Sequence, residues 1–182
     1  MDDMNKTIFK CSFIMKRGAL IVVEGIDRTG KSTQCKALVE NLKRKQINVQ
    51  YMNFPDRQSD IGVVINSYLT KKKNLSDEAI HLLFSANRWE KSEMMKSLLE
   101  SGTSLIIDRY CYSGVAFSAA KGLDLDWCKG PDVGLPRPDR VFFLTMPLTN
   151  LETRNGFGNE RIYSELKEDN WEMINADRLV NG

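Results

Sequence analysis

An α/β fold, with a five-stranded parallel sheet flanked by helices in three layers, is predicted by three features of this chain. Short apolar runs alternate with stretches of helical periodicity from about residue 19 onward, the pattern of strands joined by covering helices. Residues 25–32 read Gly-Ile-Asp-Arg-Thr-Gly-Lys-Ser, a complete G-x-x-x-x-G-K-[ST] phosphate-loop match that follows an apolar strand and opens a helix. At 182 residues and 42% hydrophobic content, the chain can bury one full core without disulfides.

In chain order, residues 1–16 carry Asp2, Asp3 and only a short apolar patch. They make a poor signal or transit peptide and read as an extension ahead of a single domain over 17–182. The first strand is expected at 19–24. In the loop behind it, two glycines let successive N–H groups turn toward one anion, and the next helix adds positive charge at its N-terminus. Lys31 is placed to reach the β- and γ-phosphates of a nucleotide, and the Ser32 hydroxyl to ligate Mg²⁺. Leu38, Val39 and Leu42 repeat at helical spacing before Lys43-Arg44-Lys45, cations that suit a helix C-terminus. Further strands are expected at 48–53, 103–108, 140–145 and 171–175. Between the second and third, Ser76-Asp77-Glu78 starts one long helix that Ile80, Leu83, Phe84, Asn87, Arg88 and Met94 continue toward Gly102. Phe84 and Arg88 stand four apart and share a helical face.

The third strand ends in Asp108, the placement of a carboxylate acting on the Mg²⁺ shell, and Arg109 follows it. Arg57, Arg88 and Arg109 can all face the crevice beyond the strand ends. Guanidinium forks match phosphate oxygens, so converging arginines imply a second phosphorylated substrate opposite the nucleotide. The formal net charge of +2 argues against a general nucleic-acid or membrane binder. No apolar run approaches membrane-spanning length, and the expectation is a soluble cytoplasmic protein. Cys11, Cys35, Cys111 and Cys128 lack paired metal spacing and read as reduced and structural, and none lies next to His81, the only histidine.

Several segments together resemble thymidylate kinases of the eukaryotic and poxvirus type. They are Phe54-Pro55-Asp56-Arg57, Leu82 to Glu90, Asp108-Arg109-Tyr110 with Ser113-Gly114-Val115-Ala116, and Pro131 to Asp139. The resemblance runs from about Arg17 to about Asp177. It implies a P-loop kinase fold and ATP- and Mg²⁺-dependent phosphorylation of dTMP to dTDP in dTTP synthesis, by a homodimer. On this resemblance Arg28, Lys31, Asp108 and Arg109 are catalytic. ATP is held by Gly25, Asp27, Arg28, Thr29, Gly30, Lys31, Ser32, Thr33 and Arg154, and Mg²⁺ by Ser32 and, through water, Asp108. Phe84 stacks on thymine, Arg88 bonds the base edge, and Arg57 and Arg109 hold the acceptor phosphate. Asp27 sits near the deoxyribose 3′-hydroxyl, and Phe54, Ser113, Gly114 and Tyr163 complete the dTMP site. Residues 154–163 resemble a lid, with Arg154 and Arg161 closing on ATP.

The chain departs from the family pattern after Ile162-Tyr163-Ser164-Glu165, where a substantial helix, a strand and another helix usually follow. Here the sequence passes almost directly to Asp169–Asp177. The expectation is a fold lacking some C-terminal helices, with its ATP side weakened more than its dTMP side. Two other readings stay open at this point: a kinase of another pyrimidine monophosphate, or a nucleotide-binding protein without turnover.

Overall fold

The two central strands bury both faces, and their alternation sorts the core into two layers. The computed structural model describes residues 16–147, Asn150 and Arg161. Strand β1 (Leu20–Gly25) leads through the phosphate loop into helix α1 (Lys31–Arg44) and on to β2 (Val49–Asn53). Helices α2 (Asp60–Leu69), α3 (Asp77–Trp89) and α4 (Ser92–Glu100) precede β3 (Ser104–Asp108). Then α5 (Cys111–Ala120), α6 (Leu125–Lys129) and a 3-10 turn at Gly130–Asp132 lead to β4 (Arg140–Leu144). The four strands are parallel in the order β2-β3-β1-β4, and they lie at the first four expected runs. The expected strand at 171–175 lies outside the described residues, as do residues 1–15.

Leu20 and Val22 of β1 join Leu105 and Ile107 of β3 on one face, where Met95, Leu99 and Tyr110 cover them. Val23 and Ile106 point to the other face and meet Cys35 and Val39 of α1. A smaller cluster of Ile65, Tyr68, Leu69 and Ile80 joins α2 to α3. At the end of β1 the β4 backbone runs so close that a Cβ on Gly25 would stand 2.3 Å from the Leu144 carbonyl oxygen. With φ at 138° as well, the position admits only glycine.

The single long helix expected from Ser76 toward Gly102 is two helices, broken at Glu90–Lys91. The cause is tertiary. Asn87 Nδ2 donates to the Asp56 carbonyl at 3.1 Å and to Ser59 Oγ at 2.9 Å, while Lys91 Nζ pairs with Asp56 at 2.9 Å. The segment after β2 thereby clamps the turn, and α4 swings so that Met95 and Leu99 lie on the sheet while α3 packs on α2 and α5.

Candidate active site

The carboxyl ends of β1 and β3 lie side by side, with Val23 opposite Asp108. From β1 the chain crosses toward β2 on one side, and from β3 it crosses toward β4 on the other. Connections that diverge in this way leave a crevice between the two strand ends. The phosphate loop borders it from β1, and Asp108 and Arg109 border it from β3. Gly30 takes the left-handed conformation, φ 94°, at the start of α1, and the Thr29 hydroxyl bonds the Ile26 carbonyl at 2.9 Å. Arg28 is exposed on the loop and Thr33 on the first turn of α1. Arg28 and Arg109 both hold φ at 67°, a conformation that costs a side-chain-bearing residue about 1–2 kcal/mol and concentrates at functional sites.

Lys31 is 5% exposed, donates to the Ile26 carbonyl at 2.7 Å and lies 3.9 Å from Asp27. Burial, reinforced by the Arg109 cation, brings its ammonium pKa down to about 8. Ser32 Oγ donates to Asp108, and the Tyr51 hydroxyl donates to the same carboxylate oxygen at 3.2 Å. Burial, helped by Asp108, pushes the Tyr51 phenol well above its ordinary range.

On the β3 side one chain of hydrogen bonds sets Arg109. Its Nη2 pairs with Asp27, and its Nη1 donates to Ser113 Oγ at 3.0 Å. Ser113 in turn donates its single hydroxyl proton to Glu24. Glu24, 2% exposed, also accepts from the backbone N–H groups of Tyr110 at 2.8 Å and Ser113 at 3.3 Å. It is therefore the anion at the start of α5, whose first N–H groups need acceptors.

A cleft of about 720 Å³, part of it open space, extends from here, and Asp27, Phe54, Phe84, Arg88, Arg109, Ser113 and Gly114 share its wall. Phe84 and Arg88 come from one face of α3, as their spacing required. Phe54 also packs in the sheet core, its ring 5.9 Å from that of Tyr110. Arg88 is 2% exposed and forked onto Asp132 through Nε at 2.9 Å and Nη2 at 2.7 Å. Arg57 stands apart from the cleft wall: it is exposed and donates to Asn66 at 3.0 Å. Of the expected lid, Arg154 and Tyr163 lie outside the described residues. Arg161 is described, with its guanidinium 4.7 Å above the Tyr68 ring and a bond to Asn74 at 2.8 Å.

Two residues of this assembly escaped the sequence reading. Glu24 could have been found as the one charge inside an otherwise apolar strand. Asp132 stands in the segment Pro131 to Asp139, where neither spacing nor resemblance gives the carboxylate a role. His81 is fully buried between Ser118 Oγ at 2.8 Å and the Cys128 carbonyl at 2.9 Å, so it belongs to the core. The carbonyl can only accept, which makes Nε2 the protonated nitrogen and Nδ1 the acceptor. Cys35, Cys111 and Cys128 are free thiols, and burial raises all of them, Cys35 and Cys111 to about 12.

The family model for thymidylate kinase matches residues 23–178. A thymidylate kinase of Danio rerio is 48% identical over 181 residues, covering 91% of this chain and 85% of the relative. The thymidylate kinase of Homo sapiens is 45% identical, with the same coverage of each chain. Among solved structures, thymidylate kinase from Candida albicans superposes with a TM-score of 0.77 at 42% identity, covering 87% of this chain and 75% of that one. On the match of its sequence, its sheet and its phosphate loop, the chain belongs to the thymidylate kinase family.

Proposed function

We propose that this enzyme moves the γ-phosphoryl group of Mg·ATP in line onto a phosphate oxygen of dTMP, yielding dTDP and ADP. The observation that carries the reading is the convergence at one crevice of two phosphate-seeking groups with a base-sized cleft. The loop with Lys31 lies on one side, Arg109 held by Asp27 and Ser113 on the other, and Phe84 and Arg88 line the wall beyond. Gly25, Gly30, Thr29 and Thr33 form the phosphate cradle and the first turn behind it, with Lys31 as the cation between β- and γ-phosphates. Arg109 orients the acceptor phosphate, Phe54 and Gly114 bound the nucleoside, and Arg57 swings in from the rim. Arg28 neutralises charge on the phosphoryl group in flight, the role that dominates such reactions. The acceptor is already anionic at neutral pH, so catalysis consists of positioning and electrostatics, with no strong general base.

The Ser32 hydroxyl and the Asp108 carboxylate are hard oxygen donors already in contact, which fits Mg²⁺, an ion that takes few protein ligands and keeps water and phosphate oxygens for the rest. When bound, the ion neutralises charge between the β- and γ-phosphates. The proposal includes Arg154 as a contact to ATP and Tyr163 as one to dTMP, both outside the described residues. It also includes a homodimer, supported by exposed Val63 on α2, Leu82 on α3 and Met94 on α4. Among the described residues no helix is long and apolar enough to cross a membrane. A coupled assay of ADP release with dTMP, dUMP, CMP and AMP tests the central claim. Turnover fastest with dTMP is expected; faster turnover with CMP or AMP, or none with any acceptor, overturns it.

A further inference from the structure

Arg88 reaches the cleft from a nearly closed position, and a cation so placed needs a carboxylate partner. Asp132, with only 7% of its side chain exposed, supplies it in a particular way. The fork engages Nε and Nη2, the side of the guanidinium that fixes rotation about its last torsion. The carboxylate is itself anchored, because Ser85 Oγ donates to its Oδ1 at 2.8 Å. The same hydroxyl proton is shared with the Pro131 carbonyl, 3.0 Å from Ser85 Oγ, and Trp89 Nε1 donates to that carbonyl at 2.7 Å. The 3-10 turn carrying Asp132 therefore hangs from Ser85, Arg88 and Trp89, one face of α3.

What this leaves is a directed donor. Nη1 takes no part in the fork, and among the described residues it has no hydrogen bond. Both terminal nitrogens run beside Gly114 on the cleft wall, where a Cβ would stand 3.4 Å from each. A guanidinium has donors only, so the exocyclic position of a ring edge that meets a fixed one must bring a carbonyl oxygen. An exocyclic amino group would set donor against donor.

Resting on the reading of Arg88 as the contact to the base edge, we infer that Asp132 is a specificity-determining positioning residue. It fixes the plane of Arg88 so that keto pyrimidines are accepted and amino pyrimidines refused. Sites built around a directional hydrogen bond discriminate far more strongly than apolar pockets do, and that discrimination depends on the donor being unable to turn away.

The test is steady-state kinetics of the full chain with dTMP and dCMP, comparing the parent with Asp132→Asn. This substitution keeps the shape but turns an N–H₂ toward the guanidinium. KM for dTMP should rise by about tenfold or more with kcat nearly kept, KM for ATP should stay put, and the dTMP-to-dCMP ratio of kcat/KM should fall by about tenfold. A folded variant whose ratio is unchanged overturns the inference, even if its melting temperature drops, because a purely structural Asp132 would scale both substrates alike. Should Asp132→Asn fail to fold, Asp132→Glu keeps the charge and displaces it by one methylene; the ratio must still fall, and an intact ratio again overturns the inference. A parent enzyme that does not prefer dTMP removes the underlying functional reading, whereas a preference shared by parent and variant removes only this assignment.

Discussion

Lys31 shows how one residue joins fold and chemistry. Its ammonium is buried at the start of α1 with the Ile26 carbonyl and the edge of Asp27 for company, so burial weakens its hold on the proton and the pKa falls to about 8. A polyphosphate beside it favours the charged form, and binding must therefore take up a proton wherever free Lys31 has lost one. Affinity for a nonhydrolysable ATP analogue is expected to be flat below pH 8 and to weaken toward tenfold per pH unit above it, with proton uptake seen by calorimetry in two buffers. Lys31→Ala should remove that slope and abolish turnover while the fold persists. A parent with constant affinity from pH 7 to 9.5 would place the lysine away from the phosphates. Lys31, Ser32 and Asp108 were legible because loop spacing and a strand end give their positions directly. Asp132 was not: a carboxylate in a Pro-rich turn has no sequence signature for the arginine it meets across 44 residues of chain.

The same distinction holds for elements. The four described strands could be read from their apolar runs, and α1 from Leu38, Val39 and Leu42. Helix α5, Cys-Tyr-Ser-Gly-Val-Ala-Phe-Ser-Ala-Ala, is buried through Val115–Ser118 and Ala120, so it lacks the polar stripe from which periodicity is read. The break between α3 and α4 falls at Glu90–Lys91, two good helix formers; only the remote Asp56 and Ser59 contacts impose it. The start of α5 likewise depends on a distant residue, since Tyr110 provides no side-chain cap and Glu24 of β1 accepts from that turn. Glu24→Gln keeps the size and removes the charge, weakening the cap and the anchor of Ser113 beneath Arg109. It should lower stability by about 1–3 kcal/mol, a melting temperature lower by roughly 2–4 °C per kcal/mol, and should raise KM for dTMP without changing KM for ATP. An unaltered melting temperature and KM would show that the backbone of α5 holds Arg109 unaided.

At the scale of the molecule, the two-layer core and the switch point between β1 and β3 follow from strand order, which sequence alone does not print. What ties the helical layer together is less visible: His81 of α3 bonds Ser118 of α5 and the Cys128 carbonyl of α6, with the Trp127 ring 5.3 Å away. Three helices meet on one neutral imidazole. Burial, helped by the nearby Arg88 cation, depresses its pKa below the ordinary 6.5. The unfolded chain binds a proton at His81 below pH 6.5 while the native state resists it, so stability is fully present above that pH and declines as pH falls, by up to about 1.4 kcal/mol per unit. Asp56 and Asp139 are depressed as well, the first chiefly by its bond to Lys91 and the second chiefly by the Leu20 N–H. Their contributions survive until pH drops below the ordinary carboxylate range, so the windows separate. Urea midpoints measured from pH 7.5 to 5 should fall below pH 6.5 in the parent, and His81→Gln, though less stable throughout, should lose most of that slope. An equal slope in both proteins would assign the acid sensitivity to other groups and leave His81 as an uncharged strut indifferent to protons.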